Sequence, residues 1–152
     1  MYIGMVTERK RGMRMQDRYL FKAKRKDNCE WVFGGLSYCE KTNAYFITNM
    51  GKDHISYIGF HQEVDPSTIC QCTGLKAKNG TLIWENDIVA YWDSYSTESG
   101  LAEADCIGKV VWDDETISFQ VTNRLSAESY EVLGDECSVI GNVFDNPELL
   151  EE

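Results

Sequence analysis

The chain has 152 residues, a mass of 17.4 kDa and a formal net charge of −10. It is 43% hydrophobic and 12% aromatic, with only two prolines, which excludes a disordered or low-complexity chain. No apolar run reaches the roughly 18–20 residues of a membrane-spanning helix, and charges at Glu8, Arg9, Lys10 and Arg11 stand where a signal peptide needs an apolar core. The expectation is a soluble, cytoplasmic, β-rich protein of one domain or two small lobes.

The charge is unevenly spread. Residues 1–26 hold nine of the fifteen bases and only Glu8 and Asp17 among the acids, while the other 126 residues carry six bases and 23 acids. Such a split fits a nucleic-acid arm on an acidic body. An arm paired with its own body or with a neighbouring subunit is the favoured reading, because a strongly acidic body repels phosphate beyond a Debye length of about 8 Å. Residues 1–14 show neither period nor turn chemistry, and residues 1–16 are expected to form a flexible basic extension.

From Arg18 the period becomes two. Tyr19, Phe21 and Ala23 are expected on one face of a first strand, with Lys22, Lys24 and Lys26 on the other. Asp27-Asn28 reads as a turn and Trp31-Val32-Phe33 as the returning strand. Further strands are expected at residues 44–48 and 55–60, giving a β-meander lobe over residues 17–66. Asp65-Pro66 then breaks the pairing and begins one short helical turn.

A second lobe is expected over residues 67–150. Asn79-Gly80 is a strong hairpin turn, since both residue types tolerate positive φ. Strands at residues 82–84 and 88–92 flank the polar corner Glu85-Asn86-Asp87. A polar loop is expected at 93–105, followed by strands at 107–112, 117–121, 130–133 and 138–144, and a last turn from Asn146-Pro147. Short strands turned every 8–12 residues describe a small barrel or sandwich, so the fold class is mainly β with little helix.

Chemical motifs are sparse. No phosphate-binding glycine loop and no nucleophile elbow occur. His54 and His61 lie seven apart across an expected strand, on opposite faces. Cys29, Cys39, Cys70, Cys72, Cys106 and Cys137 offer only one close pair, Cys70-Gln71-Cys72, where a structural zinc site needs paired C-x₂₋₄-C knuckles. His61-Gln62-Glu63 before that pair echoes a zinc deaminase, but the C-x-C spacing and short separation do not suit one. Asp113-Asp114-Glu115 is placed at a solvated hairpin tip. Neither a metal nor a cofactor is expected, nor any catalytic residue.

Binding signals are stronger. Trp31, Trp84, Trp92 and Trp112, with eight Tyr and six Phe, are many for one small core, and exposed aromatics serve base stacking or peptide recognition. The candidate nucleic-acid-binding set is Arg18, Tyr19, Lys22, Lys24, Arg25, Lys26 and Trp31. A solvated strand face protecting a sheet edge explains the same lysines.

Four separated segments carry a family resemblance. Arg18-Tyr19-Leu20-Phe21-Lys22-Ala23-Lys24-Arg25, with Asp27-Asn28 and Glu30-Trp31-Val32-Phe33-Gly34, resembles the RxxLFRGKRxDNGEWVYG opening of the YopX family of phage and prophage proteins. Val64-Asp65-Pro66 through Thr73-Gly74-Leu75-Lys76-Ala77-Lys78-Asn79-Gly80 is similar to its VDPxTxxQxTGLKDKNG segment. Glu85-Asn86-Asp87-Ile88-Val89 resembles its EGDIV, and Val139-Ile140-Gly141-Asn142-Val143-Phe144-Asp145-Asn146-Pro147-Glu148-Leu149 its VIGNIYDNPEL ending. The resemblance spans residues 17–150. Cys29 and Asn86 stand where the pattern has glycine, and Cys72 where an aromatic is usual.

The resemblance implies an all-β fold whose C-terminal part is similar to an SH3-like barrel, and an origin on a mobile element in a bacterial host. It implies no activity, and such barrels host many unrelated functions. The leading expectation is a non-catalytic module that binds a host or phage protein or self-associates, with no membrane or small-molecule partner. The alternative is a nucleic-acid-binding accessory protein using the basic first strand. An enzyme built on the acids of 85–93 and 113–115 would require them to converge in one cleft.

Overall fold

In the computed structural model, residues 16–49, 60–122, 129–131 and 134–151 are described. Among the described residues the period-two stretches of the sequence become antiparallel strands. They are β1 (Phe21–Lys24), β2 (Trp31–Cys39), β3 (Ala44–Asn49), β4 (Phe60–Val64), β5 (Cys70–Lys76), β6 (Leu82–Trp84), β7 (Asp87–Thr97), β8 (Gly100–Asp113), β9 (Ser118–Thr122), β10 (Ser129–Glu131) and β11 (Cys137–Asn142). Among the described residues only short 3-10 turns accompany them, at Asp17–Tyr19, Pro66–Thr68, Gly134–Glu136 and Pro147–Leu150.

Two sheets result. The first has the order β4-β3-β2-β1-β5-β6 and the second β10-β9-β8-β7-β11. The first curls until Arg25 bridges Val64, but among the described residues neither sheet closes into a barrel, and the SH3-like detail is not shown. Sheet membership changes at the Glu85-Asn86 corner between β6 and β7. β5 lies beside β1, with Phe21 opposite Gln71 and Lys22 opposite Cys70.

Strand alternation separates the cores. One face of the first sheet buries Ala23, Ile47 and Val64 against Phe21, Val32, Leu36 and Ile69. Its other face gathers Cys70, Cys72 and Trp84 with Trp31, Leu20 and Phe144. Ile83, next to Trp84 but pointing the opposite way, joins Val89, Val110, Val121 and Cys137 in the core of the second sheet.

Local turn chemistry is as expected at several points. Asp65 caps the Pro66 turn by accepting the Ser67 N–H at 2.9 Å, and Gly80 takes φ +83° after Asn79. Asp113-Asp114-Glu115 stands at the β8–β9 hairpin turn, where Asp113 accepts the Glu115 N–H at 2.9 Å.

Other expectations fail. The polar loop over 93–105 is instead a long hairpin, Thr97 pairing with Gly100 and Trp92 with Asp105. Its strands pair mainly with each other, so no buried stripe betrays them in the sequence. The strand expected at 55–60 falls almost wholly outside the described residues, which resume at Phe60 with β4; residues 50–59, and His54 with them, lie outside the described residues, as do residues 1–15 and 132–133.

Candidate functional site on the first sheet

The candidate basic residues separate into three places. Arg18 and Tyr19 sit in the first 3-10 turn, exposed and engaged with each other: the guanidinium lies 4.8 Å from the ring centroid and donates to the Tyr19 hydroxyl at 2.8 Å. Arg25 and Lys26 leave β1 at its far end. Arg25 grips Asp27 with two bonds, of 2.9 and 2.5 Å, and Lys26 pairs with Glu63 of β4 at 3.0 Å. These pairs line a shallow pocket with His61 and Gln62.

Only Lys22, Lys24 and Trp31 converge. The alternation of β1 does put Lys22 and Lys24 on one face, opposite Ala23, but that face is covered where a solvated one was expected. Lys22 is 7% exposed. Its ammonium donates to Asp87 Oδ1 at 3.0 Å and lies 4.9 Å from the Trp31 ring and 5.5 Å from that of Trp84. Two π-faces and one carboxylate thus replace the water the cation loses.

Lys24 is met in the same way from the chain's far end. Its ammonium contacts Asp145 Oδ1 at 2.5 Å and the Trp31 ring at 5.4 Å. Asp145 Oδ2 also accepts the Trp31 indole N–H at 2.8 Å and the Asn142 amide at 3.0 Å. Hydrogen bonds from Lys24, Trp31 and Asn142 hold the Asp145 carboxyl down at about 2. Phe144 packs edge-on against Trp31 with centroids 5.8 Å apart, so the C-terminal segment covers the basic face.

Asp87 is the deeper acid. Its Oδ2 accepts the Trp84 N–H at 2.8 Å while Oδ1 holds Lys22. Burial pushes its carboxyl above the ordinary carboxylate range, with the Lys22 charge opposing that shift. The corner before it is tied down by Asn86, whose N–H donates to Val110 O at 2.8 Å and whose carbonyl accepts the Val143 N–H at 3.0 Å.

Sequence reasoning missed Asp87, Trp84, Asp145 and Asn142 as partners of the basic strand. The signal was present in the EGDIV-like and DNPEL-like motifs, each of which holds one of the two acids.

The other chemical candidates serve local bonds. Burial raises the Cys70 thiol to about 11 and also raises that of Cys72, and Cys70 Sγ lies 3.3 Å from Thr68 O. Glu85 accepts the Gln71 N–H at 3.3 Å, and Asp114 the Trp112 indole N–H at 2.9 Å. Among the described residues no three His, Cys, Asp or Glu side chains gather as metal ligands. No described helix is long and apolar enough to cross a membrane.

Fold and face together define a mainly β, two-sheet protein whose basic first strand is neutralised from within by acids of remote segments. The family model described as YopX protein matches residues 9–151, so the chain belongs to the YopX family. The match begins before Arg18 and takes in Arg9, Lys10, Arg11 and Arg14, which the motif comparison had left outside. No curated protein matches the chain.

Proposed function

We propose that this YopX-family chain is a non-catalytic interaction module, encoded by a phage or prophage and acting in the bacterial cytoplasm on a host or phage protein. The observation that carries the reading is the projecting β7–β8 hairpin, which exposes Trp92, Leu101 and Ile107 at 60%, 79% and 41%. Large apolar side chains grouped on one exposed face mark protein-binding surfaces more often than scattered ones do. The internal pairing of Lys22, Lys24, Arg25 and Lys26 adds support, since a base held by its own carboxylate has less to offer a phosphate.

The test is retention of a bacterial protein by the immobilised full chain and its loss in the variant Leu101→Ser with Ile107→Ser. Equal retention by both would remove the hairpin from the reading.

The nucleic-acid reading keeps one point in its favour: Arg18, Tyr19 and Lys26 remain exposed. Fluorescence anisotropy with labelled single- and double-stranded DNA and RNA decides it. Six to ten phosphate contacts lose about 10³–10⁵ in affinity between about 50 and 200 mM salt. Binding with that dependence, weakened by Arg18→Gln and Lys26→Gln, would replace the module reading.

A further inference from the structure

The β7–β8 hairpin outruns its sheet. β9 pairs with β8 only over residues 109–113. Residues 100–108 are therefore paired to β7 on one side and, among the described residues, to no strand on the other. That open edge is about 27 Å long at about 3.4 Å per residue. Exposed edges are commonly guarded by lysine, proline or a bulge. Residues 92–108 contain no Lys, Arg or Pro, and the β7–β8 register runs without a shift.

The side chains of this edge fall into two sets. Leu101, Glu103, Asp105 and Ile107 are exposed and share one face, while Ala102 and Ala104 are half-buried on the other. Across the ribbon Glu103 stands opposite Ser94 and Asp105 opposite Trp92, so neither carboxylate has a base as its cross-strand neighbour. No ion pair among the described residues includes either of them. Lys22, Lys24, Arg25 and Lys26, by contrast, are each held by an acid of this chain.

An added strand gains affinity from main-chain hydrogen bonds to such an edge and specificity from the side chains it sets opposite. Opposite charges in those cross-strand pairs attract and like charges repel. A second copy offering the same edge antiparallel, centred on Ala104, would set Glu103 against Asp105 twice over. The edge is thus closed to its own kind and open to a basic strand.

We propose that the outer edge of β8 over residues 101–107 accepts, as an added β-strand, a segment of a partner protein reading apolar-x-basic-x-basic-x-apolar. The basic positions meet Glu103 and Asp105, and the apolar ones meet Leu101 and Ile107. The edge reads apolar-acid-acid-apolar from either end, so the pattern serves both strand directions. The proposal rests on the module reading, whose partner it describes.

The probe is a labelled, end-blocked heptapeptide with valine at both ends, lysine at the third and fifth positions and threonine elsewhere. Its binding to the full chain is followed by fluorescence anisotropy at low salt. A second peptide is N-methylated at its fourth and fifth amides. Successive N–H groups of a strand point to opposite edges, so one of these two must face β8. Both lysines are kept, yet the affinity is expected to fall about tenfold. Glu103→Lys with Asp105→Lys is expected to weaken the unmodified peptide by about tenfold or more. Glu115→Lys with Glu151→Lys makes the same change in net charge away from the ribbon and is expected to cost far less. The bound peptide is expected to slow hydrogen exchange over residues 101–107.

Equal binding of the N-methylated peptide, or equal loss in the two charge variants, would reduce the contact to net charge and overturn the proposal. So would no binding at all, or protection confined to other strands. Protection of 101–107 that grows with protein concentration without peptide would put a second copy on the edge and overturn it too. The N-methylated peptide is tested on the wild-type chain, so it decides even where a charge variant fails to fold. All of these results leave the module reading intact, since that reading stands or falls on retention of a partner protein.

Discussion

Lys22 and Asp87 lie 65 residues apart in the chain and meet at 3.0 Å inside it. The contact ties the first strand to the corner between the sheets, and both side chains are almost fully withdrawn from water. Removing one partner of a buried pair leaves an uncompensated charge and costs about 3–5 kcal/mol, a large share of the roughly 5–15 kcal/mol that holds a domain folded. Lys22→Met is therefore expected to be strongly destabilised at pH 7 in urea unfolding. Lys22→Met with Asp87→Asn removes both charges, keeps an acceptor for the Trp84 N–H, and is expected to recover much of the loss.

The same pair predicts a pH dependence. Asp87 has a folded pKa above its unfolded value, so the stability it contributes is fully present below the unfolded pKa of about 3.9 and is lost as pH rises through the folded value. Without Lys22 the folded pKa rises further. The Tm of Lys22→Met is expected to fall more steeply between about pH 4 and 7 than that of the wild type, and the double variant is expected to lack the extra slope.

Asp145 works in the opposite direction. Its folded pKa of about 2 lies below the ordinary carboxylate value, so its contribution is present above about pH 4 and disappears as pH falls toward 2. The group is partly exposed and solvent screens it, which limits the effect to about 1 kcal/mol. Asp145→Asn is expected to flatten the acid limb of the stability profile and to speed hydrogen exchange over residues 142–151.

The C-terminal cover also depends on one close approach. A Cβ at Gly141 would stand 2.5 Å from Asn146 Oδ1 and 2.9 Å from Asn146 Cβ, so the segment carrying Asp145 must shift to admit it. Gly141→Ala is expected to cost about 1–3 kcal/mol, as overpacking does. NMR titration should show the Asp145 pKa moving back toward the ordinary carboxylate value.

Two departures from the family pattern coincide with unusual backbone. Cys29 and Asn86 replace glycine, and both hold positive φ, at 61° and 67°. A side chain there costs on the order of 1 kcal/mol, less for asparagine. Cys29→Gly is expected to stabilise the chain by up to about 1 kcal/mol, and Asn86→Gly by a few tenths at most. Ile117, a β-branched residue at φ 55° and 74% exposed, is expected to gain about 1 kcal/mol as glycine. Chemical denaturation midpoints check all three.

The left-handed turn at Cys29 was legible only through the resemblance, because nothing local asks cysteine to adopt it. The Asn79-Gly80 and Asp65-Pro66 turns were legible directly, since their side chains favour one backbone path whatever packs around them. The β7–β8 hairpin was not. Its serines and small alanines read as a loop, and its pairing is satisfied by backbone hydrogen bonds that side-chain patterning does not report.

By itself the sequence determined the β periodicity, most of the turns, the family, and the fact that Lys22 and Lys24 share a face. Those properties arise from neighbours along the chain, whose side chains alternate across a strand by geometry. Tertiary structure alone decided what covers that face. Pairing β1 with β5, and bringing Asp87 and Asp145 over Lys22 and Lys24, joins residues 65 and 121 positions apart. Alternation separates the two faces of a strand, but it does not tell water from a remote carboxylate as the group that meets a lysine.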